Sequence, residues 1–410
     1  MKLALFVHDF PPEFLGGTEQ VVLALAHAYR ESGHEVVIVA GSEQRRAADE
    51  PAVVTEAYEG LRVLRLRRLQ DENYGICLDW PRVGGLVTDI LVEERPDAVH
   101  VHHWSTIGHD ILQRAAALGI VGGTTLHDLW TTCPRFFRRP PSGVRCPLDA
   151  SRESCVTCAS SDLPHTELKD IASDMARRDK IIGRELATAA FVSVPSEAQK
   201  KLLHRHSASR AEVEVIPHGL LAPVQERAMP RADGAPFRVG SFGNVVPEKG
   251  FDLIVEALGH LGEEVELRIS GRCPHAGYVD ALERRARTLG VPFTYTGPYG
   301  PGDRHPALDL DLAIFPSLCH ESYGLVVDEA LARGVPVVVS GRGALPERAE
   351  RGGKVVRQGG VGPLEVALAN LLRSQRQLEA LRSEIPTDFP TIRRAADRYI
   401  ELFTSLSKVS

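Results

Sequence analysis

Short runs rich in Val, Ile and Leu recur at residues 2–7, 35–40, 61–66, 97–102, 120–126, 190–194 and 213–216, and stretches of helical periodicity near 18–32, 107–118, 166–187 and 196–206 separate several of them. Apolar runs of strand length without strict alternation predict strands covered on both faces, hence a parallel, doubly wound sheet of α/β class. The pattern lapses over 217–236, Pro/Ala-rich from 222, and then resumes. Strands are predicted at 237–242, 264–270, 292–296, 312–315 and 335–340, with helices at 250–260, 277–289 and 324–333. Two domains follow, 1–222 and 234–388, and a helix within 389–410, near 391–405, is expected to pack back on the first. A ligand is expected in the cleft between the two sheets, outside the carboxyl ends of their strands.

Composition changes this picture little. A chain of 410 residues exceeds what one growing core accommodates, and 43% hydrophobic with 25% charged residues is ordinary for globular domains. A net charge of −6 gives no reason to invoke nucleic acid. No apolar run approaches the roughly 18 residues of a membrane span, and the stretch Met1 to Asp9 turns polar too early for a signal peptide. Cytoplasmic residence is the expectation, compatible with peripheral attachment to a membrane.

The chemistry concentrates in Pro316 to Ala332, where an apolar strand enters a polar loop and a helix opens around Ser322, Tyr323, Gly324 and Leu325. The unpaired amides and positive end of a helix attract phosphate. Glu321 and Glu329 are acceptor-only groups, suited to the hydroxyls of a sugar ring and a ribose. A second phosphate loop, Gly240 to Gly250, brings Lys249 to a diphosphate. In the first half, Gly16 and Gly17 precede a helix that Thr18 could cap, and would turn backbone N–H groups towards the ligand. His100, His102, His103 and His127 fall at predicted strand ends; the first two read as packing groups. Asp309 and Asp311 abut a strand and read as structural rather than as metal ligands.

Glu321-x7-Glu329 with Gly324 between, followed by Glu-Ala-Leu-Ala-x-Gly-x-Pro-Val-Val-Val from Glu329 to Val339, resembles the GT-B glycosyltransferases of the retaining family 4. The resemblance spans nearly the whole chain, with several motifs in the right order. It implies two Rossmann-like domains and transfer from a nucleoside-diphosphate sugar to a glycan, lipid-linked or other glycoconjugate acceptor, with retention and no metal required for catalysis. By matching positions it implies that His127 lies near the transferred sugar, Glu321 holds donor-sugar hydroxyls, Glu329 the ribose, and Lys249 the leaving diphosphate. Asn244 stands where the family usually carries an arginine, so diphosphate neutralisation rests more heavily on Lys249. A sugar-nucleotide epimerase of the same architecture, or a non-catalytic nucleotide-sugar-binding scaffold, are the alternatives.

Cys133, Cys146, Cys155 and Cys158 lie in an irregular segment, about 130–165, with little helical or strand periodicity. Cys155-x2-Cys158 suits tetrahedral zinc, and Cys133 and Cys146 would complete four thiolates, ahead of an iron–sulfur cluster, two disulfides or four free thiols. Cys77, Cys273 and Cys319 lack a partner motif and read as packing residues. Arg135, Arg138, Arg139, Arg177, Arg178, Lys180, Arg184, Lys200, Lys201 and Arg205 are compatible with contact to a phosphate-bearing acceptor or anionic lipid.

Overall fold

The computed structural model describes residues 1–70, 72, 76, 81–143, 146–206, 212–229, 231, 234–262 and 265–406; Cys77 lies outside them. The chain forms two compact units, Met1–Leu221 with Pro390–Ser410, and Ala222–Phe389.

In the first unit, strands β1 (Lys2–Val7), β2 (Glu35–Gly41), β3 (Val53–Tyr58), β4 (Leu61–Leu66), β5 (Ala98–Val101), β6 (Val121–Thr125), β7 (Val192–Val194) and β8 (Val213–Val215) form one sheet in the order β3-β4-β2-β1-β5-β6-β7-β8. Helices α1 (Gly17–Glu31), α2 (Pro81–Glu94), α3 (Ile111–Ala117), α4 (Arg152–Ser160), α5 (Leu168–Thr188) and α6 (Glu197–His206) complete its chain up to residue 221. Leu3, Ala4, Leu5, Phe6 and Val7 are wholly buried, as a strand covered on both faces requires. All neighbouring strands are parallel except β3 and β4, which pair antiparallel. This edge hairpin departs from the all-parallel expectation. Its two-residue turn, Glu59-Gly60, takes positive φ at both positions, 48° and 74°, as tight hairpins demand.

In the second unit, β9 (Phe237–Phe242), β10 (Val265–Ser270), β11 (Phe293–Tyr295), β12 (Leu312–Phe315), β13 (Val337–Ser340) and β14 (Gly353–Val356) form a parallel sheet in the order β11-β10-β9-β12-β13-β14. Its helices are α7 (Phe251–Leu261), α8 (Tyr278–Thr288), α9 (Leu325–Ala332), α10 (Leu345–Arg348), α11 (Val361–Leu372) and α12 (Gln375–Glu384). Asp311 is 1% exposed and holds Arg238 through Nη2 at 2.9 Å, a structural ion pair beneath β12.

The last helix, α13 (Ile392–Leu406), belongs to the first unit and packs against α1. The chain enters it by a backbone exchange, Leu220 N–H donating to Pro390 O at 2.8 Å and Ile392 N–H to Leu220 O at 2.9 Å. Tyr399 and Phe403 are buried, and Ser193 Oγ donates to Tyr399 Oη at 3.3 Å.

Within the 130–165 segment, where little periodicity was expected, α4 begins at Ser151, which caps it by accepting from Ser154 N–H. Cys155 and Cys158 lie on that helix, and burial followed by the neighbouring Cys133, Cys155 and Cys158 raises the Cys146 thiol. Cys133, Cys146, Cys155 and Cys158 are all free thiols, and among the described residues no three His, Cys, Asp or Glu side chains are grouped to hold a metal ion. Local partners engage two of the thiols: Cys158 Sγ lies 3.6 Å from Arg135 Nη1, and Cys146 Sγ 3.6 Å from Pro147 O. Two cations expected at the surface are buried instead. Arg178, 2% exposed, stacks over Trp130 with Cζ 4.6 Å from the ring centroid. Arg138, also 2% exposed, donates to Pro147 O at 2.5 Å. Among the described residues no helix is long and apolar enough to cross a membrane.

Candidate functional site

The order of the second sheet reverses between β9 and β12, which pair through Leu312 with Val239 and Ala313 with Gly240. In an open parallel sheet, the loops leaving the carboxyl ends of such a strand pair part to opposite sides and leave a crevice where ligands bind. The loop after β9 carries Lys249, and the loop after β12 carries Glu321. The two loops are stitched together, Leu318 N–H donating to Glu248 O at 2.8 Å.

Lys249 Nζ lies 2.6 Å from Glu321 Oε1, and Ser317 Oγ donates to the same oxygen at 2.6 Å. Glu321 is 15% exposed at its side chain and Lys249 36%. Burial opposes the charge on each group, but their mutual attraction wins. The Lys249 ammonium is raised above its usual range, and the Glu321 carboxyl, which Ser317 also supports, falls below its own. The sequence assigned these residues to different parts of a ligand; the structure pairs them with each other.

The backbone of Glu321 is fixed from behind. Ala344 N–H donates to Glu321 O at 2.9 Å, and Gly343, at φ +59°, lies so close that an added Cβ would meet Glu321 O at 2.0 Å and Glu321 N at 2.5 Å. Gly343→Ala is therefore expected to displace the Glu321 loop and to destabilise the chain by roughly 1–3 kcal/mol. Urea unfolding monitored by circular dichroism checks this.

Gly324 begins α9 at φ +94°, where a side chain would strain the backbone and meet Leu345 Cδ2 at 2.7 Å. Following it, Leu325 and Val326 carry the first helical amides, and Glu329 lies one turn further on. Tyr323 is buried and faces inward, its hydroxyl donating to Asp328 Oδ2 at 2.7 Å. Arg348 Nη2 reaches Asp328 Oδ1 at 2.7 Å, and its Cζ sits 4.8 Å from the Tyr323 ring centroid. This network ties α9 to α10, and local motif reasoning had no means of seeing it. Asn244 is exposed, in the loop between β9 and Lys249.

The first sheet reverses order between β1 and β5. Gly16 is the cap of α1, and Thr18 lies inside the helix. Gly16 N–H donates to Glu19 Oε2 at 3.0 Å, so this amide is committed within the protein. Gly17 is open, with nothing within 4 Å of an added Cβ.

The strand-end histidines form a buried chain. His127, 5% exposed, has Nε2 2.8 Å from His102 Nδ1 and Nδ1 3.3 Å from His218 Nε2. His100 Nε2 lies 2.8 Å from Thr125 Oγ1, and His103 Nε2 3.3 Å from Asp128 Oδ2. Burial, then the neighbouring imidazoles, holds the His127 pKa well below the usual value, and burial takes His218 down to about 3. The His127 and His218 rings are neutral at physiological pH. His8 and Glu19, 3.3 Å apart, adjoin them, and Glu19 is raised by burial to about 8. His8, Glu19 and His218 were not singled out by motif reasoning.

Two Rossmann-like sheets, the second with a cation, an acidic partner and a helix start at its switch point, define a GT-B glycosyltransferase. Residues 15–220 match glycosyltransferase family 4 and residues 236–374 match the glycosyl transferases group 1. The chain belongs to glycosyltransferase family 4 and is a nucleotide-sugar-dependent transferase. It is 25% identical over 420 residues to a glycogen synthase of Mycobacterium tuberculosis, covering 95% of this chain and 91% of that one. It is 32% identical over 203 residues to a D-inositol 3-phosphate glycosyltransferase of Mycobacterium bovis, covering 46% and 41%. Among solved structures, the fold is similar to a sucrose-phosphate synthase from Thermosynechococcus elongatus, with a TM-score of 0.65, 19% identity and full coverage of both chains. It is also similar to the catalytic domain of starch synthase IV from Arabidopsis thaliana bound to ADP and acarbose, with a TM-score of 0.60, 18% identity and 99% coverage of each.

Proposed function

We propose that the chain transfers a sugar, with retention of anomeric configuration, from a nucleoside-diphosphate sugar held by the second unit to a hydroxyl of a glycan, lipid-linked or other glycoconjugate acceptor. The observation that carries this reading is the Lys249–Glu321 pair at the switch point of the second sheet, beside the start of α9. A diphosphate needs a cation and N–H donors, and the donor sugar needs acceptors for its hydroxyls. Lys249 and the amides at Gly324 to Val326 supply the former. Glu321 and Glu329 supply the latter, with Ser322 and Tyr323 shaping the turn between them.

In this reaction the anomeric carbon–diphosphate bond breaks and the carbon bonds to the acceptor oxygen, whose proton passes to the leaving diphosphate. Lys249 and the helix start stabilise the growing charge on the diphosphate. The donor replaces Glu321 as a partner of Lys249, freeing the carboxylate for sugar hydroxyls. The neutral imidazole of His127, oriented by His102 and His218, is able to donate or accept a hydrogen bond. Solved relatives of the same fold that carry UDP-glucose or ADP favour a nucleotide donor of this size.

Incubation with UDP-, ADP- and GDP-sugars and an acceptor panel tests the reading. Nucleoside diphosphate release, product mass and the anomeric coupling constant by NMR are measured. Acceptor-dependent transfer with retained configuration is expected. Isomerisation of the donor without acceptor would mark an epimerase, and binding without turnover a scaffold.

A further inference from the structure

Glu329 has a partner outside every motif. His305 precedes the short 3-10 turn Pro306–Asp309, and Ala307 N–H donates to its Nδ1 at 3.2 Å. A ring nitrogen that accepts carries no proton, so the neutral imidazole is protonated at Nε2. That nitrogen stands 3.5 Å from Glu329 Oε2. The ring is wedged edge-on between Phe242, at 5.0 Å and 84°, and Tyr299, at 5.5 Å and 71°. The His305 side chain is 14% exposed and that of Glu329 23%, so the pair is largely buried. Arg333 donates to the backbone oxygen of Glu329, at 3.0 Å.

We propose that His305 is a positioning residue for nucleotide recognition: it fixes the Glu329 carboxylate so that its remaining lone pairs meet the two hydroxyls of a ribose, and thereby sets the preference for ribonucleoside over 2′-deoxyribonucleoside diphosphates. This rests on the reading that Glu329 faces the donor ribose. A carboxylate on a long side chain is a rotor, and recognition of a vicinal diol requires both oxygens to be aimed. One N–H locked by packing and by Ala307 removes that freedom. At 3.5 Å the buried Nε2–H, which makes no hydrogen bond among the described residues, faces the Glu329 carboxylate, and contacts of this kind often tighten in a ligand-bound complex.

The test is isothermal titration of UDP, ADP and GDP, and of their 2′-deoxy counterparts, into wild type, His305→Phe, His305→Gln and Glu329→Gln. Wild type is expected to favour the ribo form of its preferred nucleotide by roughly tenfold or more. His305→Phe should bring ribo affinity down to the deoxy level and leave deoxy affinity unchanged. His305→Gln, which keeps an N–H near the position of Nε2, should retain most of the preference. If His305→Phe weakens both forms equally, or neither, the inference is overturned, since a packing defect would not discriminate the 2′-hydroxyl. If Glu329→Gln leaves the ribo preference intact, the assignment of Glu329 to the ribose fails instead.

Discussion

Lys249→Met is expected to lower the turnover of donor by roughly 10²–10³, with the larger part in kcat, because a preorganised charge at the leaving group acts mostly in the transition state. Asn244 leaves the loop without the arginine that a second cation would provide, so Lys249 carries more of the task. Glu321→Gln separates the two roles of the pair. It frees Lys249 from its 2.6 Å partner and removes an ionised acceptor for sugar hydroxyls, so the affinity for nucleoside diphosphate alone should hold or rise while transfer falls. Steady-state kinetics beside titration of the free nucleotide distinguish these effects. A Lys249→Met enzyme with wild-type kcat would remove Lys249 from the chemistry.

The second large effect concerns stability against pH. His8, His100, His102, His127 and His218 are all depressed in the folded state, chiefly by burial, His218 to about 3. In the unfolded chain they titrate near the ordinary value of about 6.5. As pH falls below that value the unfolded state takes up protons that the folded state refuses, so stability drops by up to roughly 1.4 kcal/mol per pH unit for each such group. Asp9 and Glu19 act the other way. Burial raises them to about 7 and about 8, so their contribution is present at low pH and is lost as pH rises through those values. The histidines outnumber them, and stability should peak near pH 6.5–7 and fall steeply towards pH 5. Urea midpoints at pH 7, 6 and 5 measure this, and a flat profile over that range would contradict the burial of a neutral histidine chain. The acid slope should lessen in His218→Gln, because one of the refused protons is then absent from both states.

The alternation of apolar runs revealed the two sheets because strands covered on both faces leave that mark. The edge hairpin escaped it. Strand β3 is only half covered, with burial alternating along Val53–Tyr58, so no apolar run announces it. Helix α4 was hidden in a Cys- and Ser-rich stretch whose start depends on one cap, Ser151. Glu321, Glu329 and Lys249 stood out individually, but their geometry did not. The Lys249–Glu321 bond joins residues 72 positions apart, and only the pairing of β9 with β12 brings their loops together. His305, Asp328 and Arg348 left no local signal, since each acts through a partner set by packing. The cysteines stand apart: their spacing suggested a common metal, and the contacts nearest two of them are the Arg135 guanidinium, which donates to Cys158 Sγ, and Pro147 O, which accepts from Cys146.

The most direct test of the central claim is a crystal structure with the preferred nucleoside diphosphate bound. The account predicts the terminal phosphate within hydrogen-bond reach of Lys249 Nζ and of the amides that begin α9, with the ribose hydroxyls on Glu329. A diphosphate bound elsewhere, with Lys249 still closed on Glu321, would contradict it.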